Sequence, residues 1–545
     1  MVTAAAASQL TLSATSNSTV AGSPYTFTAT LLDPYGNAAT GNVTLSSTDS
    51  KATFSPLTYA FTAADNGTHT FTNGATLFTA GAQTITGTDA ADKISGNLPV
   101  TVTASTPAAF VVSGFPNTIA GVSHTFTVTA VDAYGNLLPS PAYTGTVALT
   151  TTDSKGTITP TPYTFQASDN DSATFTATLD TAGTQTITAT DTTTPSITGT
   201  ETGIVVTAAA AQSLQLAGFP SPQVAGTPGT VTATAFDQFG NVATGFTGTV
   251  TLTSTDPQAS FVASSYAFTA ADAGVHKFTN GVTLRTAGTQ SITVTDTPDA
   301  LTPGTDAGIV VTPAAAKSLQ LTGFPTPQVA GTPGTVTATL YDPYGNVATG
   351  YTGIVTFTSS DPQASFAPVS YAFTGTDAGV HTFVNGATLK TAGTQSITAT
   401  DSANATITGT DAGIVVTPAA AASLKLTGYP TPQVAGYSGS FTATAFDPYG
   451  NVATGYTGTV TLTSTDKQAS FAPASYAFTA ADAGVHTFKN GATLRTAGTQ
   501  SITATDTVTP SIAGTDAGSS SPRRRPRPLS WPGTPPPRWP GPRGR

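Results

Sequence analysis

The sequence predicts an all-β protein, a tandem array of two-sheet sandwiches of about a hundred residues each. Three observations predict it. An Asp-x-(Tyr/Phe)-Gly-Asn motif begins at Asp33, Asp132, Asp237, Asp342 and Asp447, at spacings of 99, 105, 105 and 105 residues, and the surrounding unit recurs with it. Within each unit, short segments alternate apolar residues with Thr and are separated by Gly, Pro, Asn and Asp. Helical periodicity is missing, and of 28 acidic residues only Glu201 is Glu; the Asp that replaces it belongs to turns, whereas Glu favours helices.

The third unit shows the elements in order. It opens with Leu214-Gln-Leu216, after which Val231, Ala233 and Ala235 alternate with Thr230, Thr232 and Thr234. Val250 and Leu252 then alternate with Thr249, Thr251 and Thr253. Later segments carry Tyr266 and Phe268, then Phe278, Val282 and Leu284, then Ile292 and Val294, and finally Ile309 and Val311. Seven alternating strands with regular turns form the immunoglobulin-like sandwich pattern, so the fold class is a tandem array of immunoglobulin-like seven-stranded β-sandwiches. The recurrent motif fits a turn after the second strand, where Gly36, Gly135, Gly240, Gly345 and Gly450 can take positive φ and the Asp and Asn can bond nearby backbone. The Ala runs at 208–211, 314–316 and 419–422 are too short to be helices alone and fall at the joints as linkers.

The chain divides into residues 1–104, 105–208, 209–313 and 314–418 as repeats one to four, with 419–518 as a fifth repeat expected to lack its last strand. Residues 519–545 read as a disordered Pro- and Arg-rich tail that is a frameshifted start of repeat six. Thr515-Asp-Ala-Gly518 matches Thr410-Asp-Ala-Gly413, where repeat four continues Ile-Val-Val-Thr-Pro-Ala-Ala-Ala. Written as ATC GTC GTC ACC CCG GCG GCG GCC and stripped of its first base, that stretch encodes Ser-Ser-Ser-Pro-Arg-Arg-Arg-Pro, the residues at 519–526. Shifted back, residues 531–545 can encode a close match to Leu216-Ala-Gly-Phe-Pro-Ser-Pro-Gln-Val-Ala-Gly-Thr-Pro-Gly-Thr230. At the other terminus, Met1-Val-Thr-Ala-Ala-Ala-Ala matches Val205-Val-Thr-Ala-Ala-Ala-Ala, so the chain reads as a piece of a longer repeat protein.

Charged residues are 8% of the chain, against roughly 25% in ordinary soluble domains. The net charge is −10, and the body before the tail carries 11 basic against 28 acidic residues. Such a body repels nucleic acid. Without cysteine there are neither disulfides nor thiolate metal sites. No apolar run reaches the roughly 18 residues a spanning helix needs, and residues 1–4 lack the basic and apolar regions of a signal peptide.

A strand followed by Asp342-Pro-Tyr-Gly-Asn-Val-Ala348 and then Val355-Thr-Phe357 resembles the bacterial Ig-like tandem repeats of invasin- and intimin-type surface proteins and, more loosely, filamin-type repeats. The resemblance covers all five units. It implies an extracellular or cell-surface spacer or adhesin stalk and no particular ligand. Partners are then the neighbouring repeats and, at most, surface glycans or proteins.

No nucleophile elbow, phosphate loop or zinc-helix motif occurs. His69, His276, His381 and His486 share a register that repeat two fills with Ala173, and they read as strand-surface residues. Lys51, Lys155 and Lys467 lie in a loop, without the recurrent strand Lys an isopeptide crosslink needs. Asp237, Asp272 and Asp296, with Asp342, Asp377 and Asp401 one repeat later, recur at strand ends on one side of the sandwich. Carboxylates gathered there could hold Ca²⁺ and stiffen the array; the competing reading is turn chemistry. The sequence therefore assigns no catalytic, cofactor or metal site and no enzymatic activity. The expected function is a structural stalk, the alternative a multivalent glycan- or protein-binding array using loop aromatics such as Tyr344, Tyr351 and Tyr449.

Overall fold

The computed structural model describes residues 3–138, 142–296, 298 and 300–521, and the tail at 522–545 lies outside the described residues. Five sandwiches follow one another. In repeat one, strands β1 (Gln9–Ser13), β3 (Pro24–Leu32), β7 (Thr68–Thr76) and β5 (Thr53–Phe54) form one sheet in the order β1-β3-β7-β5. Strands β2 (Ser18–Val20), β9 (Ile94–Thr103), β8 (Gly81–Asp89), β4 (Gly41–Ser47) and β6 (Thr58–Phe61) form the other, in the order β2-β9-β8-β4-β6. The chain changes sheet between β1, antiparallel to β3, and β2, parallel to β9.

Alternation puts the core between the sheets. Along β3, Tyr25, Phe27, Ala29 and Leu31 are buried while Thr26, Thr28 and Thr30 face outward. Phe27 stands opposite Phe71 on β7, their rings stacked 4.9 Å apart. Val43, Leu45, Leu77, Ile85 and Val100 close over them from the rest of the unit. Outside, Thr hydroxyls bond across strands, as between Thr28 and Thr70. β-Branching suits the strand while the hydroxyl wets a surface with little charge.

Repeats two to four reproduce this plan. The seven expected strands are all present in repeat three. Two short ones join them, Gln223–Val224 and Ser260–Phe261, the counterparts of β2 and β5.

The expectation for repeat five is corrected. A last strand does form, Ala513–Ser521, pairing antiparallel with Gly498–Asp506. Ladder hydrogen bonds come from the backbone, so the pairing does not need Ile or Val. Ser519 and Ser521 stand opposite Gln500 and Gly498, where repeat four sets Ile414 and Val416, both in its core, opposite Gln395 and Gly393. The short parallel strand is missing among the described residues, so this sheet has four strands where the other repeats have five.

Candidate functional site at the joints between repeats

The Asp-x-(Tyr/Phe)-Gly-Asn motif folds as a finger after the strand equivalent to β3. In repeat two, Asp132 Oδ1 accepts the N–H groups of Tyr134 and Asn136, both at 2.9 Å. Its Oδ2 accepts Asn136 Nδ2 at 2.8 Å and, from the incoming linker, Ser105 N at 3.0 Å. Gly135 has φ +86°, which Gly adopts without a Cβ penalty. One carboxylate thus fixes the turn, aims the Asn and clamps the linker. Asp237, Asp342 and Asp447 do the same, with Ala209, Ala314 and Ala419 as linker donors.

The finger rests on the preceding sandwich. Asn136 Nδ2 donates to the Phe78 carbonyl at 2.8 Å, and its Oδ1 accepts the Ala80 N–H at 2.9 Å. Asn241 makes the same pair with Asp180 and Ala182, Asn346 with Arg285 and Ala287, and Asn451 with Lys390 and Ala392, all at 2.7–2.9 Å. The aromatic of each motif covers a glycine of the preceding repeat. A Cβ on Gly22 would lie 1.9 Å from the Tyr134 hydroxyl, and Gly121, Gly226 and Gly331 are covered likewise by Phe239, Tyr344 and Tyr449.

A second buried carboxylate shapes the seat. Asp256 Oδ2 accepts Arg285 N at 2.5 Å and Thr286 N at 3.0 Å, presenting the Arg285 carbonyl to Asn346. Asp49, Asp153, Asp361 and Asp466 hold the equivalent loops. From the loop of the seat Asp, Lys51 Nζ reaches the Tyr134 carbonyl at 3.0 Å, and Lys155 bonds that of Phe239. In the same register, Gln258 and Gln363 donate to Tyr344 and Tyr449 carbonyls at 3.2 and 3.1 Å.

Hydrogen bonding sets the charge state. Burial pushes Asp132, Asp237, Asp342 and Asp447 upward, and the bonds from the motif Asn and main chain outweigh it, leaving each below the usual carboxylate range. Asp33 is drawn to about 2, first by the Asn37 side chain. Asp466 ends at about 2 because the bonds from Thr496 and the main chain exceed its burial penalty.

The remaining residues singled out in the sequence are separately engaged. Asp272 accepts Thr269 N at 2.7 Å, the Tyr266 hydroxyl and His276 Nδ1 at 2.8 Å, while Asp237 is consumed by its own finger. Asp296 ends the strand Gly288–Asp296 opposite Val250. The structure does not bring these Asp residues together: among the described residues no three His, Cys, Asp or Glu side chains form a group that could hold a metal ion. The histidines are half-buried rather than on the strand surface. His276 stacks on Tyr266 at 3.5 Å, and His69, His381 and His486 repeat the arrangement. Tyr351 bonds Asp401, as Tyr143 and Tyr456 bond Asp191 and Asp506; burial, then that bond, pushes the phenol of each upward. The cavity of about 480 Å³ between linker 208–211 and loop 245–248 is lined by Ala, Gly, Phe246, Thr247 and Leu301, with no titratable side chain.

Sequence reasoning identified the finger as a turn and missed the seat. Its signal was present: a hydroxyl residue and Asp recur in register at Thr48-Asp49, Thr152-Asp153, Thr255-Asp256, Ser360-Asp361 and Thr465-Asp466.

No family model matches the sequence, and no curated protein matches it. Solved structures do. The Escherichia coli adhesin FdeC aligns at 22% identity over 57% of this chain and 100% of that one, with a TM-score of 0.24. Invasin, a bacterial integrin-binding protein, aligns at 17% over 78% and 82%, with a TM-score of 0.27. The D00-D0 domains of intimin align at 16% over 37% and 98%, with a TM-score of 0.21. At these identities the likeness concerns the sandwich fold alone.

Proposed function

We propose that the chain is a non-catalytic spacer of a bacterial cell-surface or secreted repeat protein, part of an adhesin stalk. The observation that carries this reading is the joint. Four times, one Asn takes both a carbonyl and an N–H of the preceding repeat while its aromatic neighbour covers a glycine there. Fixed joints turn separate sandwiches into a projecting array whose reach grows with repeat number. The weakly charged, Thr-rich surface and the resemblance to invasin- and intimin-type repeats support an extracellular setting. The aromatics that a glycan-binding array would use are committed elsewhere, Tyr344 and Tyr449 to joints and Tyr351 to Asp401.

Replacing Asn136, Asn241, Asn346 and Asn451 together by Ala tests the reading by small-angle scattering. The expected result is a smaller maximum dimension and a broader distance distribution, with the repeats still melting cooperatively. An unchanged scattering profile would reject fixed joints, and selective binding on a glycan array would replace the spacer with a receptor.

A further inference from the structure

We propose that the joint between repeats two and three is a proton-sensitive hinge, firm when the Asp180 carboxyl is neutral and loosened when it ionises. Asp180 opens the seat loop 180–182, between the strands Ser172–Thr178 and Gly183–Asp191. Its carbonyl and the Ala182 N–H are the two groups that Asn241 takes, at 2.7 and 2.9 Å. Its own N–H donates to Asp153 Oδ2 at 2.5 Å. The Asp180 side chain is the exception among the seats. Phe78, Arg285 and Lys390 stand in its place at the other three joints. Phe78 meets the Tyr134 ring edge-on at 5.0 Å, and the Arg285 guanidinium lies 5.8 Å from the Tyr344 ring. Of the four joints, this one alone sets an acid there.

Asp180 Oδ1 is shut off from solvent and meets no hydrogen-bond donor. A neutral carboxyl tolerates that place, whereas a carboxylate there forfeits its hydration with no hydrogen bond in return. The surrounding charges add to the cost. Asp153, which holds the seat loop, and Asp237, which holds the finger, are both buried. The cation beside them is Lys155, whose ammonium bonds the Phe239 carbonyl. Burial, then the Asp153 carboxylate, push the Asp180 carboxyl upward; Lys155 pulls the other way and Asp237 adds to the rise.

A carboxyl held above its ordinary value in the docked joint makes protons favour docking. The penalty is absent below the ordinary carboxylate value, about 3.9, and grows as pH rises past it. Asp237 stays ionised over that range, because its own bonds keep it below the usual carboxylate range. Once ionised, Asp180 gains by moving its loop toward water. That movement carries off the carbonyl and the N–H that Asn241 holds. The array then has one yielding joint among firm ones. Such a hinge presupposes the fixed joints of the spacer reading, which the joint between repeats three and four tests separately.

The chain has no cysteine, so introduced pairs carry spin labels without interference. Thr174→Cys with Gln215→Cys spans the joint between repeats two and three. Lys277→Cys with Gln320→Cys spans the next joint at the equivalent positions, and all four residues are exposed. Double electron–electron resonance on the full chain reads each distance in steps from about pH 4 to about pH 8, upward from the ordinary carboxylate value. The 174–215 distribution should broaden as pH rises, while 277–320 stays narrow throughout. Asp180→Asn, and Asp180→Phe after the Phe78 of repeat one, should keep 174–215 narrow at every pH. A 174–215 distribution that ignores pH, or one that still broadens in both variants, would overturn the hinge and leave the fixed joints standing. A 277–320 distribution broad at every pH would remove the fixed joints and the hinge with them.

Discussion

Asn136, Asn241, Asn346 and Asn451 do across a joint what backbone amides do within a sheet. One planar group offers a donor and an acceptor side by side, and the seat answers with a carbonyl and an N–H two residues apart. Asp in that place would lack the donor and face the finger's own carboxylate. That carboxylate makes the array sensitive to acid. Asp33 and Asp466 are held at about 2, and Asp132, Asp237, Asp342 and Asp447 below their ordinary value. The folded state therefore binds fewer protons than an unfolded chain with carboxylates near 3.9. The stability these groups confer is complete above about pH 4 and drains away as pH falls toward 2. Calorimetry should find a Tm that is flat from about pH 5 to 8 and drops steadily below about pH 4. A Tm that holds to pH 2.5 would contradict this account.

Among the elements, the strand equivalent to β9 passes close against the opening strand of its repeat. Gly96, Gly199, Gly304, Gly409 and Gly514 occupy one position on it, and a Cβ there would sit 1.9–2.7 Å from the main-chain oxygen of Leu10, Phe110, Leu214, Leu319 or Leu424 on the opening strand. Side-chain bulk would push the two sheets apart where they close. Gly409→Ala should cost about 1–3 kcal/mol by overpacking. Gly413→Ala, on the same strand at φ +77° with nothing within 4 Å, should cost only its backbone strain of about 1–2 kcal/mol. Urea melts of the two variants compare them, and an equal or smaller loss at Gly409 would show that the close approach is unimportant. The long strands were legible because Thr alternates with apolar residues along them. β2 and β5 and their counterparts were not: two or three residues cannot display a period, and β2 takes its partner from the far end of the repeat, where Ser18 pairs with Thr101. The last strand of repeat five was misjudged for a related reason, since side chains signal a strand in sequence while the ladder that forms it is backbone.

For the whole molecule, repetition made the domain count readable and hid the joint. The finger announced itself as a turn because its bonds run between neighbours, Asp132 to Asn136. Its second role depends on groups near residues 78–80 of the repeat before, a distance over which local pattern carries no information. The calcium alternative to turn chemistry had the same limit: register places the Asp residues at one end, while only coordinates show whether they meet. The parallel pairing of β2 with β9 has a mechanical consequence. The bonds from Thr101 N to the Asn17 carbonyl and from Ala21 N to that of Thr103 join the first and last parts of the repeat. Tension between the entry and exit of a sandwich drags those two strands past each other, so their bonds must shear together instead of unzipping in turn. Repeat five shows no such strand among its described residues. Stretched in an atomic force microscope, the chain should give one early rupture at low force from repeat five and four later ones at higher, similar force; five equal ruptures would show that the latch bears no load.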